Sequence, residues 1–240
     1  MSLPKINTPE YRLTVPSTDE EITYRPFLVK EEKLLLIAQE TGTDKATYDA
    51  IKQIITSCCS GDLNLEKMPL FDLEYIFLNI RAKSVGEIVK LKVKCPDDEK
   101  TEVEVEVDLT KINVEMDEKH DARIQLEEDP NIGILMSYPT FGTVGYATAV
   151  GDNDESNAKA LFEMISNCMY QIWEGEETHD CMDYSQKEKL AFLESLSHTQ
   201  FEKIQTFFET MPTLKHEVEV ENPETKVKST VTLSGMNDFF

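Results

Sequence analysis

The 240-residue sequence predicts an α+β fold: two related helix–helix–β-hairpin modules, an N-terminal β-hairpin and a central strand-rich connector. Three observations predict it. Several segments alternate apolar and polar residues with the period of a strand, others repeat apolar residues at helical spacing, and the order helix, acidic loop, helix, hairpin occurs twice. The expected divisions are a hairpin extension over 1–29, a first module over 30–109, an irregular connector over 110–155, and a second module over 156–240.

The first hairpin is read from Arg12-Leu13-Thr14-Val15, a Pro16-Ser17-Thr18-Asp19 turn, and Glu21-Ile22-Thr23-Tyr24. Lys30 to Glu40 places Leu34, Leu35 and Ala38 on one helical face, and Gly42 supplies the stop. From Asp44 to Cys58, residues Ala46, Ala50, Ile51, Ile54, Ile55 and Cys58 form a stripe opposite Lys45, Asp49, Lys52 and Gln53. Pro69 suits a first helical turn, Leu70, Leu73, Ile76, Phe77 and Ile80 form the buried face after it, and Gly86 ends the run.

A second hairpin follows. Val89, Leu91, Val93 and Cys95 alternate with Lys90, Lys92 and Lys94, while Val103, Val105 and Val107 alternate with Glu102, Glu104 and Glu106. Lysines facing glutamates across the ladder oppose register slips and edge aggregation, so this charge pattern explains a hairpin before it suggests a ligand site. Between 110 and 151 the pattern is strand-like at Ile124, Leu126 and Ile132 to Tyr138, and Gly142, Gly145 and Gly151 mark a connector or mobile loop. A helix is expected from Asn157 through Ile172 to the acidic loop Glu174-Gly175-Glu176-Glu177. Two capped helices come next, signalled by Ser185 with Glu188 and Thr199 with Glu202, the second turning Phe201, Ile204, Phe208 and Met211 inward. Glu217 to Glu221 and Lys226 to Leu233 read as the last hairpin, joined through Asn222-Pro223-Glu224-Thr225.

The halves superpose in sequence. Ile54 to Cys58 lies over Met164 to Cys168, Leu73 to Ile76 over Phe201 to Ile204, and Leu91, Val93 and Cys95-Pro96 over Val218, Val220 and Asn222-Pro223. The expectation is an internal duplication giving two like binding surfaces.

Chemistry is sparse. Lys and Arg number 24 against 46 Asp and Glu, a net charge of −22, which excludes a dedicated nucleic-acid binder because phosphate neutralisation needs a basic surface. No apolar run approaches a membrane span, and the opening Met-Ser-Leu-Pro-Lys-Ile-Asn has no signal-peptide pattern. Five cysteines without dense spacing fit reduced thiols. Cys95-Pro96 resembles half a zinc knuckle, but Asp98 stands where a second thiolate belongs, so no metal ligand set is assigned. There is no Gly-x-Ser-x-Gly elbow, no Cys with His in a recognisable context and no phosphate-cradling loop. Neither catalytic residues nor a cofactor are assigned, and the expectation is a protein that is not an enzyme.

Several segments together resemble the baseplate hub proteins of T4-like contractile-tailed bacteriophages. They are Leu3 to Pro9, Tyr24-Arg25-Pro26-Phe27-Leu28-Val29-Lys30-Glu31-Glu32-Lys33, Ile80 to Glu87 with Cys95-Pro96, and Gly235-Met236-Asn237-Asp238-Phe239-Phe240. The resemblance implies a role in building the baseplate hub, as a hub component or as an assembly chaperone that leaves the finished particle. Partners are then other phage hub proteins, met in the host cytoplasm during assembly or kept in the virion. The expected contacts are Arg81, Lys83, Ser84 and Gly86, cations and a helix end in an acidic chain, together with Asp238, Phe239 and Phe240. Two other classes stand beside this: a metal-dependent or hydrolytic enzyme with its site in 110–155, and an acidic mimic binding a basic host protein.

Overall fold

A computed structural model describes residues 7–61, 63–143 and 154–235. The fold is α+β, with small antiparallel sheets and helices packed on them. Contacts divide the described residues into two compact units, one drawn from Met1–Asn64, Phe71–Glu115 and Thr213–Phe240, the other from Leu65–Leu70 and Met116–Pro212.

In the first unit, β1 (Tyr11–Thr14) and β2 (Glu21–Tyr24) form the expected N-terminal hairpin, and the two-residue β3 (Cys59–Ser60) adds to β2. Helix α1 (Val29–Thr41) ends where Gly42 adopts φ 67°, a left-handed turn that glycine takes without a Cβ clash. Helix α2 (Asp44–Cys58) is capped by the Thr43 hydroxyl, which accepts from the Ala46 amide, and its stripe of Ile51, Ile54, Ile55 and Cys58 is buried. Helix α3 (Leu70–Val85) buries Leu73, Ile76, Phe77 and Ile80 as its periodicity requires. Two side-chain bonds tie it in place: Asp72 accepts from the amide and hydroxyl of Ser17, and the Ser84 hydroxyl accepts from the Phe27 amide at 2.9 Å.

The charged hairpin is β4 (Ile88–Lys94) with β5 (Glu102–Asp108), in a register that sets Lys90 opposite Glu106, Lys92 opposite Glu104 and Lys94 opposite Glu102. Strand β6 (Asn113–Glu115) pairs with the start of β11 (Thr213–Glu221), which pairs along its length with β12 (Lys228–Ser234). Val93, Val107, Val218, Val220 and Leu233 share one core with Leu78 and Ala82 of α3. The sequence divided the chain linearly at 110 and 155, whereas the contacts interleave it. The 213–234 hairpin clusters with the first unit because β11 finds a strand partner in β6 and its apolar face completes the core under β4–β5.

In the second unit, β7 (Arg123–Glu127) and β8 (Ile132–Met136) form a hairpin, and β9 (Met169–Glu174) and β10 (Glu177–Asp180) extend it to the order β10-β9-β8-β7. Helix α4 (Asp154–Cys168) stops at Cys168, earlier than the sequence suggested. The stretch Met-Tyr-Gln-Ile-Trp-Glu becomes β9 instead, since its β-prone residues gain strand partners on both sides, and Glu174 to Glu177 is a tight hairpin turn with Gly175 at φ 62°. Helix α5 (Gln186–Ser195) has the expected Ser185–Glu188 capping box. Helix α6 (His198–Thr210) begins two residues earlier than expected, with Ser197 and Gln200 forming its box in place of Thr199 and Glu202. Phe207, not Phe208, is its fully buried ring. Of the glycines read as a mobile connector, Gly145 and Gly151 lie outside the described residues.

Candidate interaction groove

One group of exposed apolar side chains starts from a local conflict in α1. Leu34-Leu35-Leu36-Ile37-Ala38 is a run of consecutive apolar residues, and at about 100° per residue such a run encircles the helix axis. Only part of it can face a core. Ala38 is buried, Leu34 and Leu35 are half-buried, and Leu36 and Ile37 remain 56% and 50% exposed. Val29 (79%) and Val85 (64%) add to the exposed apolar surface, as do Leu28 and Ile88.

Beside these residues a groove of about 260 Å³ runs between α1, α2 and α3. Phe27, Leu35, Leu36, Ile51, Phe77 and Val85 supply apolar walls, and Glu32, Gln39, Thr47 and Arg81 supply polar groups. Phe77, Arg81 and Val85 lie on one face of α3 because they are spaced by four. The Arg81 guanidinium is half-buried, and that burial lowers its pKa.

The groove's first two helices also lack the excess of negative charge that the chain carries as a whole. Residues 25–58 contain five cations, Arg25, Lys30, Lys33, Lys45 and Lys52, and five carboxylates, Glu31, Glu32, Glu40, Asp44 and Asp49. This segment is therefore formally neutral, and the whole charge of −22 resides elsewhere. An apolar surface on a neutral helical pair can approach a partner without the repulsion that the acidic remainder imposes on other acidic proteins.

A buried ion pair fixes the start of α1. The Glu31 carboxylate is 2% exposed and accepts from Arg25 Nη2 at 2.9 Å and the Leu28 amide at 2.9 Å, with Lys30 Nζ at 3.1 Å. Burial alone raises its pKa, but the bonds from Arg25, the Leu28 amide and Lys30 outweigh it and hold the carboxyl below its ordinary value. Arg25 Nη2 also donates to the Ser57 carbonyl at 2.9 Å, so one guanidinium joins the ends of β2 and α2 to the first turn of α1. The helix displaying Leu36 and Ile37 is thus held rigidly at its N-terminus.

The site residues expected from the sequence separate into different roles. Arg81 lines the groove. Lys83 points away from that function, pairing with Glu87 and sitting 5.4 Å from the centroid of the Tyr11 ring. Ser84 holds the Phe27 amide, and Gly86, at φ 131°, terminates α3. Asp238, Phe239 and Phe240 lie outside the described residues. The sequence reading takes Leu35 and Phe77 only as core positions and does not single out Leu36, Ile37 or Val85. The available signal was that the Leu34–Ala38 run is too wide for a single buried stripe.

Other chemistry is muted. In the second unit a cavity of about 350 Å³ is lined by Met169, Ile172, Cys181 and Phe192, with His179 Nδ1 2.9 Å from the Tyr184 hydroxyl. His120, the histidine of the 110–155 region, has Nδ1 3.0 Å from Thr210 Oγ1 and Nε2 3.0 Å from the Tyr138 hydroxyl, and burial lowers its pKa. Burial pushes the Cys59 and Cys168 thiols up to about 12, the reverse of an activated nucleophile. Among the described residues no group of three or more His, Cys, Asp or Glu could hold a metal ion, and no helix is long and apolar enough to cross a membrane.

With this geometry in view, comparison with known proteins gives one result. A family model described as T4 bacteriophage base plate protein matches residues 8–240. No curated protein and no solved structure matches the chain.

Proposed function

Because the chain belongs to the T4 bacteriophage base plate protein family, we propose that it is a non-enzymatic protein of baseplate hub assembly that binds other hub proteins through the α1–α3 groove. It acts in the host cytoplasm while the baseplate is built, as a hub component retained in the virion or as a chaperone released from it. The observation that carries this reading is an exposed apolar groove on formally neutral helices of a strongly acidic chain. Apolar burial supplies affinity, and Arg81 gives the site a polar anchor.

We further propose that the chain is a duplicated block, with hairpin, helix, added strand, helix and hairpin in each copy. Three repeated details support this. The strand orders β1-β2-β3 and β7-β8-β9 coincide, and each third strand follows directly on a helix ending in a buried cysteine, Cys58 or Cys168. The residue after the middle strand donates its amide to that cysteine's carbonyl, from Arg25 at 3.0 Å and from Ser137 at 2.7 Å. The two later hairpins turn alike: Glu99 donates to the Cys95 carbonyl and Lys226 to the Asn222 carbonyl, both donors having positive φ.

Co-expression with the hub proteins of the same phage, followed by affinity recovery, tests the reading. Leu36→Asp with Ile37→Asp should abolish recovery while leaving the circular dichroism spectrum and melting temperature near those of the parent, because both side chains are exposed. Recovery should survive 0.5 M salt, as an apolar contact does, whereas a charge-driven acidic mimic would lose binding steeply. Undiminished recovery of the double variant would refute the groove as the contact. Mass spectrometry of purified particles separates retained component from released chaperone.

A further inference from the structure

The sheet of the second unit ends on an open strand. In the order β10-β9-β8-β7, β10 pairs with β9 on one side, and among the described residues no strand joins its other side. Glu174 and Glu177 close a two-residue turn, so that pair and the Ile172–His179 pair exchange backbone hydrogen bonds. Thr178 and Asp180 alternate with them and turn their amides and carbonyls outward, where an extended segment can bond as an added strand.

Between β9–β10 and α5 lies the cavity of about 350 Å³. Its floor is apolar, with Met169 and Cys181 buried and Ile172 and Phe192 half-buried. Cross-strand partners share a face and successive residues alternate, so Ile172 and His179 stand on the same face as Glu174 and Glu177, which are two positions nearer the turn. A strand added to β10 would therefore direct one side chain toward the apolar floor and the next on that face, two residues away, toward Glu174 and Glu177. The first position suits a leucine or methionine. The second suits an arginine or lysine, because the two glutamates are directly opposed and a cation between them relieves their repulsion. The surroundings reinforce this: residues 169–195 hold seven carboxylates, Glu174, Glu176, Glu177, Asp180, Asp183, Glu188 and Glu194, against Lys187 and Lys189.

We propose that this slot takes an extended segment of another baseplate protein, added to the edge of β10, with an apolar side chain in the cavity and an arginine or lysine two residues away at Glu174 and Glu177. The source of the segment rests on the family assignment, while its chemistry depends on neither that nor the α1–α3 groove. The probe is the capped peptide Thr-Leu-Thr-Lys-Thr, titrated at millimolar concentration into the isotope-labelled full chain and followed by its amide resonances. It should shift the amides of Thr178 and Asp180 and slow their hydrogen exchange by about tenfold. Replacing the peptide's leucine by serine, or its lysine by glutamate, should each weaken binding by about tenfold. Glu174→Gln should weaken it by about threefold, as for an exposed ion pair. Ile172→Phe fills the cavity and should erase the advantage of the leucine peptide over the serine one. Leu36→Asp with Ile37→Asp should leave the titration unchanged, so the slot and the groove fail separately. Absence of binding by the parent peptide, equal binding of the serine peptide, or binding that leaves Thr178 and Asp180 untouched overturns the proposal, and none of these outcomes requires a variant to fold. In co-expression, Ile172→Phe should lower recovery of at least one hub protein; undiminished recovery of all of them overturns the baseplate source of the segment.

Discussion

The block containing β2 and α1 and the block containing β8 and β9 solve the same local problem with different materials. In each, the residue after the middle strand must be tied to the end of a helix that finishes in a buried cysteine. The first block uses an ion pair: Arg25 joins the Ser57 carbonyl to Glu31, which in turn holds the start of α1. The second uses a hydroxyl: Ser137 donates both its amide and its Oγ to the Cys168 carbonyl. The third strand differs too. β3 stops after two residues, whereas β9 runs six and folds back as β10. A short third strand leaves the first block with exposed helix surface, and a long one converts the second into a broader sheet with Trp173 laid across it. On the duplication proposed above, one framework carries exposed helix surface in one place and a broader sheet in the other.

The largest effect is expected where the longer strand has made demands. Gly133 on β8 sits directly opposite Trp173, and an added Cβ would lie 1.9 Å from the indole ring. The ring is itself sandwiched, with the Arg123 guanidinium 4.2 Å from its centroid. Gly133→Ala should therefore destabilise by about 3 kcal/mol or more, the upper range for overpacking. Trp173→Leu introduced with it should recover part of the loss. The matching position of the first block, counted back from Arg25, is the exposed Glu21, where β3 does not reach and Glu21→Ala should be nearly silent. Thermal denaturation of the three variants breaks the comparison if Gly133→Ala is tolerated.

Next in size is the ionic junction. Glu31→Gln removes the charge that Arg25 faces and should cost about 2–3 kcal/mol, somewhat below a fully buried pair because Arg25 retains contact with water. Ser137→Ala, its uncharged counterpart, should cost about 1 kcal/mol. The pH dependence sharpens this. Glu31 has its folded pKa held below the unfolded value, so its stabilisation is present above about pH 4.3 and is lost as the pH falls through the folded pKa. Asp72 has the opposite sign: burial raises its pKa despite the bonds from Ser17, so the folded protein gains stability relative to the unfolded one as the pH falls through that raised value. Urea titrations from pH 7 to 3 should show Glu31→Gln converging on the parent at low pH. Asp72→Asn should instead show its largest relative gain at neutral pH, with Oδ1 accepting from the Ser17 amide and Nδ2 donating to the Ser17 hydroxyl.

A smaller effect separates the two hairpin tips. Asn222 is fully buried; its Nδ2 donates to Asp97 at 3.0 and 3.1 Å, and its Oδ1 accepts from the amides of Glu224 and Thr225. Cys95 holds the matching place in the other tip, buried and without such bonds to its turn. Asn222→Ala should cost about 1–2 kcal/mol in denaturant titrations, as expected when turn amides lose their acceptor. Cys95→Ala should cost less, since only a small buried side chain is trimmed.

These contrasts explain what could be read in advance. Periodicity located α2 and the β4–β5 hairpin because each has one wet and one dry face, and residue spacing alone encodes that. Reading a helix through Ile172 failed for a different reason. Met169, Ile172 and Trp173 suit either a helical stripe or a strand, and only the availability of β8 and β10 as partners decides. Choosing Phe208 over Phe207 as the buried ring failed in the same way, since adjacent rings cannot be ranked without the surface they meet. Arg81 was legible as an uncommon cation in an acidic chain. Leu36 and Ile37 were not singled out, although five apolar residues in succession on one helix announced that some had to remain exposed.

The smallest effect concerns the exposed charges of β4–β5. Lys90 Nζ lies 3.2 Å from Glu104 and 3.5 Å from Glu106, whereas on the other hairpin Glu217 and Glu219 face Thr232 and Thr230. Lys90→Thr makes the first hairpin resemble the second at this point. Both partners of the ion pair are more than half exposed, so screening and side-chain entropy cancel most of the attraction. The melting temperature at 0.15 M salt should move by less than about 2 °C, a shift at the limit of what a fraction of a kcal/mol produces in a chain of this size. The ladder's larger role is to forbid wrong pairings: a one-residue slip turns Lys90, Lys92 and Lys94 into the apolar face. A shift well beyond 2 °C, lost in 1 M salt, would show that the charges hold the folded hairpin together and would remove the contrast between the two.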